Sequence, residues 1–175
     1  ISTTPNLRTV TINNLPVQQN FGDYEGSKIS GKVINDNGTD GGTAHDAIQN
    51  GTEIGIENTI VQALTGSNTL IEQTNTNGNG EFTLYVPSST VGTGGTIKIK
   101  ETNPTAYISI GGNAGSTSGS YTIVNDEISF TNTVGTEYSN LIFADVASSV
   151  LLTDGNQNVL PGAIALFQHT FEAKT

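Results

Sequence analysis

The sequence predicts an all-β sandwich, and three observations carry that expectation. Hydrophobic residues make up 34% of the chain and charged residues only 13%, so its polarity comes mainly from Thr, Ser, Asn and Gly. That is not the Lys/Glu-rich pattern of a helical protein. Short alternating runs recur between Gly/Asn/Ser/Thr clusters, the pattern of a β-sandwich or barrel. No segment sustains the 3.6-residue apolar period of a helix.

The runs fall at 7–12 (LRTVTI), 28–34 (KISGKVI), 58–64 (NTIVQAL), 69–74 (TLIEQT), 81–86 (EFTLYV), 96–101 (TIKIKE), 121–124 (YTIV), 127–130 (EISF) and 140–146 (NLIFADV). In the second, Ile29, Gly31 and Val33 share one face, so Lys28 and Lys32 point away from the core. TNTNGNGEFTLYV predicts a hairpin with a buried second strand. Asn77-Gly78 and Asn79-Gly80 accept positive φ cheaply, and Phe82, Leu84 and Val86 then alternate toward one side. GGNAGSTSGS (111–120) lacks the Lys and following helix of a phosphate cradle and is expected to be a flexible loop.

The two ends echo each other. TVTINNLPVQQNFGDY (9–24) and ISFTNTVGTEYSNLIFADV (128–146) each give a strand, a polar turn and a second run closing on Phe, a small residue and Asp. The echo predicts three parts: 1–24 ending a preceding module or serving as an exchanged strand, 25–146 one whole module, and 147–175 beginning another or acting as a donor strand. Within the last, GAIALFQHTFEAK has strand-like apolar side chains and is expected to lack partners in its own module.

Composition excludes several functions. With 6 basic and 16 acidic residues the net charge is −10, which repels a phosphate backbone, so nucleic acid is not an expected partner. The absence of Cys excludes disulfides and thiol chemistry. The absence of Met makes the chain read as a processed or excerpted product of a longer one. No apolar run reaches the roughly 18 residues of a membrane span. His45 and His169 are solitary, and there is no Gly-x-Ser-x-Gly elbow, HExxH or Walker loop. No enzymatic activity is expected.

ISGKVINDNGTDGGTAHDAIQNGTEIGIENTIVQAL, followed by TNTNGNGEFTLYVP and IKIKETNPTAYISIGG, resembles the SdrD B-like repeat modules of large bacterial surface proteins. These share a prealbumin-like, Cna-B type Greek-key sandwich, here with extra terminal strands. LPGAIALFQHTFEAKT (160–175) is similar to the opening of another secreted repeat. The resemblance implies an extracellular, bacterial-surface location and a structural role.

The segment 35–55, NDNGTDGGTAHDAIQNGTEIG, carries four carboxylates and little to bury. Calcium takes six to eight oxygens in flexible geometry, and a Gly-rich backbone can curl around it. Asp36, Asp46 and Glu53 are the expected carboxylate ligands and Asn50 the amide, with Asp40 and Asn37 further candidates. The resemblance also implies calcium at the loop after the first strand. Yet counting from Asp36 puts Gly38 third and Ala47 twelfth, so this is not an EF-hand loop. The alternative is an acidic loop ordered by its own hydrogen bonds. Cna-B relatives can also join Lys to Asn through a buried acid. The resemblance would make Glu101 that acid and Asn140 the acceptor, but the outward phase of Lys28 and Lys32 argues against it, and Glu101 is expected to satisfy a backbone turn.

Three roles follow from these readings. The first is a structural repeat of a stalk, stiffened by calcium and touching neighbouring modules. The second is a filament subunit joined head-to-tail to identical subunits through edge strands at 7–12 and 162–173. The third is an adhesin module binding a surface receptor.

Overall fold

Alternation in GSKISGKVIN places Ile29 and Val33 on one face of a ten-residue strand, β1 (Gly26–Asn35), and both are fully buried. The structure, a computed structural model, describes residue 1, residues 22–152 and residues 170–172. The expected strand at 7–12 and most of the terminal segments 1–24 and 160–175 lie outside the described residues. Along the chain follow β2 (Ile60–Thr65), β3 (Leu70–Asn75), β4 (Glu81–Pro87), β5 (Thr96–Thr102), β6 (Tyr107–Asn113), β7 (Ser120–Thr122), β8 (Glu127–Thr131), β9 (Glu137–Ala147), β10 (Val150–Leu152) and β11 (Thr170–Glu172).

The fold is all-β, a sandwich of two sheets. One has the order β4-β1-β9-β6 and the other β3-β2-β5-β8-β7. Ile29, Val33, Phe82, Leu84, Val86, Leu141 and Phe143 from the first meet Val61, Ala63, Ile97, Ile99, Ile128 and Phe130 from the second in one apolar cluster. Burying each large side chain contributes about 1.5–3 kcal/mol. Phe143 anchors the middle, its ring centroid 6.2 Å from those of Phe82 and Tyr121.

β1 is antiparallel to β4 but parallel to β9, with Lys28 opposite Glu137 and Asn35 opposite Asp145. The register shifts between Ile29 and Gly31. A Cβ on Gly31 would meet the Leu141 carbonyl oxygen at 2.3 Å and the Phe82 ring at 2.7 Å, so this seam closes only over a residue without a side chain.

Four expectations need correction. The NGNG turn is not a hairpin: β3 pairs with β2 and β4 with β1, so the turn carries the chain from one sheet to the other. Asn77 still shapes it, its Oδ1 accepting from the amides of Asn79 and Glu81 at 2.9 Å each. The segment expected to be a loop at 111–120 begins as the end of β6 and continues into a short 3-10 helix, Gly115–Thr117. Its glycines serve packing, since a Cβ on Gly112 would strike the Tyr121 ring at 2.4 Å. The strand expected at 121–124 is β7, which stops at Thr122 and leaves Val124 exposed. Finally, β11 is not partnerless: Thr170–Glu172 pairs antiparallel with Val150–Leu152.

Gly31→Ala should therefore destabilise the protein by about 1–3 kcal/mol through overpacking. A lower denaturant midpoint with an unchanged slope is the expected outcome, and an unchanged midpoint would show that the seam tolerates a methyl group.

Candidate functional site

Two acidic clusters lie at the same end of the β1·β9 seam, on opposite faces. The first is the loop that follows β1. Its stem is tied by the Asn35 amide to the Ile54 carbonyl and by the Asp36 amide to the Asp145 carbonyl, both at 2.9 Å. Ala47 reaches over β6, where a Cβ on Gly111 would lie 3.4 Å from its own. The loop therefore docks on the outer face of the first sheet.

Backbone amides organise this loop around two carboxylates. Asp36, fully buried, accepts from the amides of His45 and Ala47 at 2.7 Å each. Glu53, 6% exposed, accepts from the amides of Gly38 at 2.8 Å and Asn50 at 3.0 Å. Burial raises the Asp36 carboxyl above its usual range, opposed by those two amides and reinforced by neighbouring Glu53. His45 and Ala47 hold left-handed backbone conformations, which cost energy unless their surroundings impose them. The Asp36 contacts supply that constraint.

The other expected ligands stand apart from this pair. The Asn50 side-chain amide donates to Asp46 at 2.9 Å, and Asn50 Oδ1 accepts from the Thr43 amide at 2.7 Å. Asp46 also accepts from the Ile48 amide at 2.9 Å. Asp40 accepts from the Thr52 hydroxyl at 3.0 Å, and Asn37 Oδ1 from the Thr39 amide at 3.2 Å. The structure thus brings Asp36 to Glu53 and Asp46 to Asn50, with Asp40 to one side.

The second cluster was not recognised as a group in the sequence. Glu101 at the end of β5, Asp126 just before β8 and Asp145 on β9 each offer a carboxylate oxygen within 4.8 Å of the others, the one such acidic group of three among the described residues. Asp126 is well partnered, accepting from Ser109 Oγ at 2.7 Å and the Tyr121 hydroxyl at 2.9 Å. With the Asn103 side-chain amide turned to face these acceptors, its nitrogen donates to Asp126 at 2.8 Å and to Glu101 Oε2 at 3.0 Å. Glu101 Oε1 and both carboxylate oxygens of Asp145 are buried without a donor. Glu101 therefore does not satisfy a backbone turn as expected. Its carboxyl closes the end of the core.

These environments favour the protonated acids. Burial, together with Asp126 and the charge of Asp145, pushes Glu101 well above the carboxylate range. Burial and the charge of Asp126 push Asp145 up to about 7, against a smaller opposing effect of Ser109. Tyr121 is raised for the same two reasons. A period-of-two reading exposes the signal: Ile97, Ile99 and Glu101 share the inward phase of TIKIKE, as Leu141, Phe143 and Asp145 share that of NLIFADV.

The crosslink candidates are separated. Lys28 pairs with Glu137 at 3.6 Å and Lys32 with Glu81 at 3.7 Å, while Lys32 also donates to Gln49 at 3.1 Å. The inward positions of β1 are Ile29, Gly31, Val33 and Asn35, as the alternation predicts, so neither lysine faces Glu101. Asn140 is exposed on the outer side.

No family model and no curated protein matches this chain. Among solved structures it is similar to the Bacillus anthracis TIE protein, at 12% identity and a TM-score of 0.44, covering 74% of this chain and 18% of that one. It is also similar to the shaft pilin SpaA from Lactobacillus rhamnosus GG, at 14% identity and a TM-score of 0.41, covering 74% of this chain and 53% of that one. The similarity to bacterial surface proteins is thus distant, and this chain spans well under two thirds of either structure. No residue role is carried across.

A carboxyl with a raised folded-state pKa favours folding below its unfolded value, and that contribution is lost as pH rises through the folded value. For Asp145 the window runs from 3.8 to about 7. In chelator, the melting temperature should therefore be higher at about pH 5, below the folded value, than at about pH 8, above it. Asp145→Asn should shrink the difference; an equal difference in the variant would place the cause elsewhere.

Proposed function

We propose that residues 25–146 are a non-enzymatic spacer module of an extracellular bacterial surface protein, whose function is to carry tension along a stalk. The supporting observation is the parallel pairing of the module's first and last long strands. In parallel neighbours, the start of β1 and the end of β9 lie at opposite ends of the sandwich. Tension applied through the chain then acts along the ladder, loading its hydrogen bonds together rather than peeling them singly. The resemblance to surface-protein repeats supports the same role.

Because the chain has no Cys, force handles can be attached at chosen residues. Pulling between Glu25→Cys and Ser148→Cys loads β1 against β9 in shear, whereas pulling between Glu25→Cys and Ser89→Cys peels β1 from antiparallel β4. The first geometry should give the higher unfolding force in single-molecule experiments. Equal or reversed forces would remove the mechanical basis of this reading.

Calcium at the post-β1 loop belongs to the same proposal, with Asp36 and Glu53 as its principal ligands and Asp46, Asn50 and Asp40 as secondary ones. Each Asp36 and Glu53 oxygen accepts one amide, and a carboxylate has about four acceptor sites in all, so lone pairs remain for an ion. Calcium would offset the repulsion of the pair and stiffen the loop against the seam. If so, calcium raises the melting temperature by mass action, and Glu53→Gln reduces that increase. Should Glu53→Gln respond as fully as the parent, the loop is ordered by its hydrogen bonds alone. β11 pairs with β10 within this chain, which supports the spacer over the filament reading.

A further inference from the structure

We propose that Glu101, Asp126 and Asp145 form a buried calcium site that joins the two sheets across the end of the core. This proposal goes beyond the spacer role and does not depend on it. The three residues come from both layers: Glu101 and Asp126 from the five-stranded sheet and its approach, Asp145 from the four-stranded sheet. An ion held by all three would fasten β9, one half of the seam, to β5 and β8 of the facing sheet.

The independent sign of a ligand is the set of oxygens that the protein does not satisfy. Glu101 is 1% exposed and Asp145 0%, yet Glu101 Oε1 and both Asp145 carboxylate oxygens lack a donor. Asn35, whose Cα is the register partner of Asp145, adds a fourth buried oxygen without a donor, Oδ1. Leaving a buried carboxylate unpaired is strongly unfavourable. The loop shows that this chain can cap buried carboxylates with amides. At the triad it leaves acceptors facing one another.

The donor chemistry selects the ion. All the groups are hard oxygens, with no His or Cys among them, which suits calcium or magnesium rather than a softer transition metal. Calcium–oxygen distances of about 2.3–2.6 Å place opposite ligands roughly 4.6–5.2 Å apart, and the three carboxylates fall within 4.8 Å of one another. Magnesium requires a near-ideal octahedron and retains several waters. A site of protein carboxylates, with Tyr121 bonded to one of them, suits the larger and geometrically more tolerant ion.

Terbium substitutes for calcium at oxygen sites and emits when a nearby tyrosine is excited. Tyr121 donates to Asp126 at 2.9 Å, and the chain has no Trp to compete. The experiment uses the full chain in a Glu53→Gln background, stripped with chelator, titrated with terbium under tyrosine excitation and then with calcium. Calcium-displaceable emission is expected, and adding Asp145→Asn or Glu101→Gln should weaken terbium binding by about 10-fold or more, at least the scale for losing an outer-sphere partner. Melting in chelator shows whether each variant is folded; both should remain folded, because each substitution keeps the shape of the side chain it replaces and takes an ionisable acid out of the buried cluster. Absence of calcium-displaceable emission, or undiminished affinity in either folded variant, would overturn the proposal. If one variant does not fold, the other decides.

Discussion

The parallel ladder between β1 and β9 is the constraint on which the rest of the molecule depends. β1 is an inner strand with β4 on one side and β9 on the other, so the inward residues it presents are flanked on both sides. Gly31 sits where the register shifts, with the Leu141 carbonyl and the Phe82 ring both too close for a Cβ. The core rings follow from that closeness. Phe82 and Phe143 can approach at 6.2 Å because the strands bearing them flank β1. The seam also sets where the chain runs: β9, parallel to β1, ends opposite the end at which β1 begins.

Both acidic clusters are consequences of how the seam ends. The Asp36 amide bonds to the Asp145 carbonyl, yet the two side chains lie on opposite faces. Asp36 points outward beneath a loop that folds back to supply amides, and its charge is compensated by oriented N–H dipoles. Asp145 points inward, where neighbouring strands direct their amides along the ladder rather than into the core. A carboxylate in the second position has only other side chains to answer it, and here two of those are acids. The same chain therefore stabilises one buried acid with backbone and leaves the other dependent on a proton or a cation.

Much of the fold was legible because alternation is local. KISGKVI, EFTLYV and TIKIKE declare their inward faces without knowledge of their partners, and the outward phase of Lys28 and Lys32 followed from the same rule. Pairing was less legible. NGNG signals a sharp turn equally well within a sheet or between two, and the choice depends on distant strands competing for the same edges. YISIGGN was obscured because glycine reads as loop when considered alone. Its reason for being in a strand, the Tyr121 ring against Gly112, lies in another element.

The candidate sites divide along the same line. The acidic loop was visible as composition, since its carboxylates crowd into one stretch of sequence, but composition does not reveal which oxygen meets which amide. The triad is spread from 101 to 145 and is invisible to any search for clustered charges. What marks it is a phase error: in TIKIKE and NLIFADV a carboxylate occupies the next position of an apolar series. Polar residues in that phase must be compensated when the sheets close. Where two such positions from facing sheets converge, the compensation has to be shared, and a single ion between them would meet the demand of both sheets at once.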